Sequence, residues 1–322
     1  MLAPLLLGCE LLDSGGGGEA RAEREAAPTP EYVIDIAALD LPREPPFIGG
    51  PGIDEFGYPL AQPDQLALLN LLRLGRFELL DRFVTHYQAE FEADPRKEYW
   101  PDQALAAFFT NEPQIGERIR EWQRALPDSF AAAAAVANYE FQTALRTRDA
   151  AALAQAAAGF EAVLVERPGY IAARRRLIQI AWFQRDATAE RAQLDAAMAS
   201  CPSCYIPQAY YVMQRTPGLG GSVAATKAYL DAIAGQIEQH PKWGSLAGFL
   251  AWDECSRLSE TDHPRDGLPA CEEALRHGDD ERFVITTGFL LSRADDCPAA
   301  LPYFDRGPCC TRTGSTSASS AG

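Results

Sequence analysis

Residues 156–204 read AAAGFEAVLVERPGYIAARRRLIQIAWFQRDATAERAQLDAAMASCPSC, and they decide the fold because they hold one full period of a helical repeat. A helix carrying Phe160 stops at Pro168, two further helical patterns follow, and the next closing proline is Pro202. Proline lacks a backbone N–H and its ring clashes with the preceding turn, so each of these positions ends a helix. The two lie 34 residues apart, the length of one helix-turn-helix unit.

The same punctuation extends outward. Closing prolines stand at Pro95, Pro127, Pro168, Pro202 and Pro241, at intervals of 32, 41, 34 and 39 residues. From Pro63 the apolar residues fall at helical spacing: Leu66, Leu69 and Leu72 after a capping Asp64, then Phe77, Leu80, Phe83, Val84, Tyr87 and Phe91 after Gly75. Asp102 is placed to cap a helix holding Leu105, Phe108 and Phe109, and Ile115, Ile119 and Trp122 lead to Pro127. Asp128 or Ser129 caps an Ala-rich helix from Phe130, strong in intrinsic propensity. Past Pro241, residues 246–258 and 268–275 make another pair, closed by Gly278, and residues 283–291 and 299–304 begin the next. The expectation is an all-α, right-handed solenoid of stacked helical hairpins.

Four segments follow from this: an apolar N-terminus with a Gly linker (1–18), an extended Pro-rich lead-in forming a disordered tether (19–62), the repeat domain (63–305) and a disordered tail (306–322). Tyr32-Val33-Ile34-Asp35-Ile36 is expected to dock on the first helices as a strand-like piece. With 45 acidic and 29 basic residues, the charge of −16 argues against nucleic acid as the main partner. No apolar run approaches the roughly 20 residues of a membrane-spanning helix.

Ala156, Phe160 and Pro168 occupy the small, aromatic and proline positions of the second helix of a tetratricopeptide repeat, and Leu194, Ala197 and Pro202 repeat the spacing. Ile178 and Ala181 depart from the first-helix pattern, so the chain resembles a divergent tetratricopeptide or Sel1-like array. LLNLLRLGRFELLDRFVTHYQAEFEADP (68–95), EWQRALPDS (121–129) and the turn Gly218-Leu219-Gly220-Gly221-Ser222 resemble a bacterial family known as domain of unknown function 4034, over most of residues 63–305. That resemblance implies the fold and brings no known activity. Leu6-Leu7-Gly8-Cys9 resembles a lipoprotein lipobox, which implies lipidation at Cys9. It departs from a signal peptide in having eight residues and no Lys or Arg before the cysteine. Glu10 after that cysteine implies sorting to an outer membrane facing the periplasm.

Candidate chemistry is sparse. Cys201-Pro202-Ser203-Cys204 has the Cys-Pro-x-Cys form of thiol-disulfide oxidoreductases, but Cys201 ends a helix, where the dipole raises a thiol pKa. A redox pair, a local disulfide and reduced thiols all remain open. Cys255 and Cys271, 16 apart on consecutive helices, are placed for a bridge or for a packed interface. Arg175, Arg176 and Gln179 are expected to line the concave groove and hold a carboxylate such as a peptide C-terminus, the alternative being pairing with neighbouring acids. His86, His240, His263 and His277 are scattered, and Glu272-Glu273 and Asp279-Asp280 read as solvated surface. No metal or cofactor is expected. The expected function is a non-catalytic protein or peptide interaction scaffold, envelope-anchored by lipid at Cys9. The alternatives are a soluble cytosolic adaptor and an oxidoreductase using Cys201 and Cys204.

Overall fold

The computed structural model describes residues 42–306. Cys9, the 32–36 segment and the tail beyond Arg306 lie outside the described residues. Fourteen α-helices run in order: α1 (Gln65–Arg73), α2 (Phe77–Ala93), α3 (Tyr99–Ala106), α4 (Pro113–Ala125), α5 (Phe130–Thr147), α6 (Ala150–Glu166) and α7 (Ile171–Phe183). They continue as α8 (Ala187–Ser200), α9 (Ile206–Met213), α10 (Val223–Ile233), α11 (Phe249–Ser259), α12 (Leu268–Arg276), α13 (Glu281–Arg293) and α14 (Cys297–Arg306). Among the described residues the protein is all-α apart from a two-residue ladder, β1 (Phe47–Ile48) antiparallel to β2 (Gln62–Pro63), and an isolated bridge between Ile53 and Pro59.

Local chemistry sets the helix starts. Asp64, Ser129, Asp149, Asp186, Ser222 and Asp280 each accept a first-turn backbone N–H, satisfying donors that a helix leaves orphaned. The hairpin turns repeat one device. Arg148, Arg185 and Asp295 adopt left-handed φ of 55°, 58° and 59°, and Gly75 has 67°. The residue after each donates its N–H back five positions, to Ala144, Ala181, Leu291 and Leu71 respectively. This closes the helix in a Schellman-type cap and turns the chain into the next one. A side chain at a left-handed position costs about 1 kcal/mol that glycine avoids. Arg148→Gly and Arg185→Gly are therefore each expected to raise stability by up to about 1 kcal/mol, read as a higher urea midpoint at unchanged slope.

The hairpins α5–α6, α7–α8, α11–α12 and α13–α14 pack most closely, and their inner faces form successive core layers. Phe83, Tyr87, Phe108 and Trp122 centre the first layer; Phe141, Phe160 and Tyr170 the second; Tyr205, Trp243, Phe249 and Phe283 the third. Full burial of each such side chain contributes on the order of 2 to 3 kcal/mol.

Two features depart from the expected tether and stack. Residues 42–62 belong to the ordered body. Phe47 sits 5.3 Å from the ring of Tyr87 and 4.6 Å from that of Trp100. Tyr87 Oη donates to the Pro46 carbonyl at 2.6 Å and Trp100 Nε1 to that of Ala61 at 2.9 Å. A proline-rich strand with few donors thus has its carbonyls satisfied by aromatic side chains. The second departure is in the contacts. In a simple solenoid each repeat touches only its neighbours, yet α3 packs on α7 and bonds to the start of α13, and Glu98 just before α3 bonds to Tyr205 just before α9.

Candidate functional site

These long-range contacts form a continuous polar spine through the molecule. Glu98, immediately before α3, is fully buried, and its carboxylate accepts the backbone N–H groups of Tyr205 and Ile206 at 2.7 and 2.8 Å. No local side chain caps α9, so Glu98 supplies its cap from 107 residues away. Burial pushes this carboxyl up to about 7, against the pull of the two amides and Lys242.

One turn on, Asp102 lies inside α3 and not at its cap. Its Oδ1 meets Arg175 Nε of α7 at 2.5 Å, both side chains being buried. The Arg175 guanidinium stands 4.7 Å over the Tyr210 ring and donates to Gln179 Oε1 at 2.7 Å. Burial works against its charge, but Asp102 and Tyr210 outweigh it and hold its pKa above the ordinary value. Arg282 stands over the same Tyr210 ring at 4.5 Å and pairs with Asp280 at 3.0 Å. Burial would raise the Tyr210 phenol, yet Arg175 and Arg282 bring it below its ordinary value.

Asp280 is not the solvated surface expected of it: it is 5% exposed and accepts from Tyr205 Oη at 2.7 Å. Glu281 beside it accepts from Gln103 Nε2 at 3.3 Å, and burial pushes its carboxyl up to about 7.

The spine opens into a cleft of about 1090 Å³ between the 48–62 segment and the start of α13, with Lys242, Asp280 and Glu281 in its wall. Lys242 Nζ pairs with Asp54 at 2.7 Å and lies 4.0 Å from the Tyr58 ring centroid and 5.4 Å from that of Tyr99. Ile53 and Leu60, also in the lining, are exposed.

Of the expected groove residues, Arg175 and Arg176 do not stand open in a groove. They are 2% and 4% exposed, and only Gln179 is half-buried. Arg175 has the acidic partner that was its alternative. Arg176 has none among the described residues; it donates to Gln179 Oε1 at 2.9 Å and lies over Phe109 and Phe141 at 4.5 and 5.5 Å. Tyr210 and Arg282, which sequence reading did not single out, complete the cluster.

Cys201 and Cys204 form a disulfide with Cα atoms 5.4 Å apart, and Cys255 and Cys271 form another across α11 and α12 at 5.0 Å. All four are buried, the first pair against Phe91, Ile171 and Ala197. Cys201 follows the end of α8, and the helix start lies beyond Cys204, opposite to the arrangement that activates a leading thiol. Cys297 is the free cysteine among the described residues. No group of three or more His, Cys, Asp or Glu among them is placed to hold a metal, and no described helix is long and apolar enough to cross a membrane.

The family model for a domain of unknown function (DUF4034) matches residues 65–167. No curated protein and no solved structure matches the chain. The match includes Glu98 and Asp102 and stops before their partners Tyr205 and Arg175, so the spine crosses its boundary. Residues 65–167, from the start of α1 through the end of α6, are thus similar to the DUF4034 family, and α7 to α14 continue the helical body past the match.

Proposed function

We propose that this chain is a non-catalytic interaction scaffold of the cell envelope, tethered by lipid at Cys9 and facing the periplasm. The observation that carries the reading is the pairing of four of the five described cysteines into two buried disulfides. Such bonds persist in oxidising compartments and are rare in the cytosol. Their burial in helix interfaces favours a structural role over thiol exchange. An all-helical body with a cleft edged by exposed Ile53 and Leu60 suits a protein or peptide partner.

The test is fractionation of cells expressing the full-length gene with its native upstream region, followed by alkylation under denaturation with and without reductant. The expected result is a membrane-associated product in which reductant exposes four further thiols, those of Cys201, Cys204, Cys255 and Cys271. A soluble product with every cysteine alkylated before reduction would instead leave a cytosolic adaptor as the better reading.

A further inference from the structure

We propose that the cleft beside residues 48–62 is a docking site for a protein segment that presents a lysine or arginine next to an apolar side chain. The proposal rests on the scaffold reading and names the chemistry of the partner.

One wall of the cleft is a preformed presenting loop. Residues 52–60 make a tight hairpin, closed by the Asp54 N–H on the Tyr58 carbonyl at 2.8 Å, the Leu60 N–H on that of Gly52 at 3.1 Å and the bridge between Ile53 and Pro59. The Asp54 carboxylate fills the turn, accepting from the N–H groups of Phe56 and Tyr58 at 2.9 and 2.8 Å. Asp54, Phe56 and Tyr58 meet Lys242, whose Nζ lies 2.7 Å from the carboxylate and 5.5 and 4.0 Å from the two ring centroids. Ile53, Glu55 and Leu60 are left exposed on the same hairpin, and all three line the cleft. Because the loop is ordered before a partner arrives, docking costs little entropy on this side. Ile53 and Leu60 are 65% and 52% exposed, and two large apolar side chains held firmly in water at a cleft mark an interaction surface.

The sign of the wall selects the partner. Asp54, Glu55, Asp279, Asp280 and Glu281 line it, against the permanent cations Lys242 and Arg276. Ion partners outside the lining leave that balance as it is, since Arg282 on Asp280 adds one positive charge and Glu273 on Arg276 one negative. Arg96, close to the turn at Gly57, is matched by Asp94. His277 shares Glu273, and Glu281 sits at about 7, burial outweighing the pull of Arg282. With both of these protonated, the carboxylates of the wall still outnumber its cations. The potential at the cleft therefore favours a basic segment.

Lys242 shows how this surface holds a cation, with a carboxylate at one side of the ammonium and the rings of Tyr58 and Tyr99 around it. The volume of about 1090 Å³ exceeds the roughly 300 to 1000 Å³ of most small-molecule pockets, which suits several residues of a chain over a free amine. A second copy of this chain, with its charge of −16, is the wrong sign for the site.

The experiment pans a phage-displayed library of random dodecapeptides on the purified full chain and measures the enriched peptides by calorimetry. These are expected to place Lys or Arg beside Leu, Ile or Phe and to bind more weakly as salt is raised. Glu55→Lys and Ile53→Ser change exposed side chains and are expected to leave Tm unaltered. The first should weaken binding at least about tenfold by setting like charges together, the second several-fold. Glu161→Lys and Val165→Ser alter exposed side chains of α6, outside the cleft, and are expected to bind as the wild type does.

The proposal is overturned if no peptide is enriched, if the enriched peptides lack basic residues, or if either cleft variant binds as tightly as the wild type. It is equally overturned if the α6 variants lose as much affinity as the cleft variants, or if spermidine binds as tightly as the peptides, which would assign the cleft to a free amine. Sedimentation showing a dimer that Glu55→Lys dissolves would give the surface to a second copy and end the proposal. None of these outcomes touches the fractionation and thiol count, so failure here leaves the scaffold reading to be judged separately.

Discussion

Glu98→Ala is expected to lower stability by about 2 to 5 kcal/mol, because it leaves the buried N–H groups of Tyr205 and Ile206 without an acceptor at about 1 to 3 kcal/mol each. At roughly 2 to 4 °C per kcal/mol for a body of this size, the fall in Tm is on the order of 5 to 15 °C. Glu98→Gln keeps one acceptor oxygen and is expected to cost less. It also removes a titration. Folding raises this carboxyl from its ordinary 4.5 to about 7, so the folded state holds a proton that the unfolded chain releases. Stability from this group is then greatest below pH 4.5, declines as the pH rises toward 7 and is level above that. Glu281, also near 7, contributes with the same sign. The lowered carboxyls Glu90 and Asp94 act oppositely at the acid end, since they lose their pairing to Lys97 and Arg96 as they protonate. Tm is therefore expected to be higher at pH 5.5 than at pH 8, and the difference to shrink in Glu98→Gln. An unchanged pH profile in that variant would assign the dependence elsewhere.

Asp102→Leu is expected to be about as damaging, at about 3 to 5 kcal/mol, because it strands Arg175 uncompensated beside Arg176. The double variant Asp102→Leu with Arg175→Met removes both charges and fills the space with apolar atoms. Most of the loss should return, since a buried pair roughly balances desolvation against attraction. A denaturant-melt double-mutant cycle reads the coupling directly. Losses that simply add would show that the pair does not hold α3 to α7.

The helices were legible because their causes are local. Asp64 and Ser129 precede apolar faces, and Pro127, Pro168 and Pro202 follow the last turns of α4, α6 and α8. The left-handed residues Arg148, Arg185 and Asp295 escaped notice because arginine and aspartate do not announce that conformation as Gly75 does. Residues 42–62 of the lead-in differ from the expectation for a related reason: their proline content resembles a tether, and the distant Tyr87 and Trp100 give the Pro46 and Ala61 carbonyls partners.

The polar spine was not legible, because its partners are far apart in sequence. Asp102 and Arg175 are separated by 73 residues, Glu98 and Tyr205 by 107, Gln103 and Glu281 by 178. Taken singly, Asp102 looks like a cap, Asp280 like surface and Glu98 like part of a charged turn. Burial converts each into a cross-brace. Arg175, Arg176 and Gln179 share one helix, but their spacing could not reveal that both arginines are buried or that Asp102 pairs with the first.

This spine is expected to make α3, α7, α9 and the first turn of α13 one cooperative body instead of links in a nearest-neighbour stack. Native-state hydrogen exchange, comparing the wild-type chain with Glu98→Gln, tests it most directly. Amides of these four elements are expected to exchange in the wild type only through global unfolding, and Glu98→Gln to lower their protection together by one common amount. Protection that declines smoothly from the middle helices toward α14, with Glu98→Gln affecting α9 alone, would contradict it.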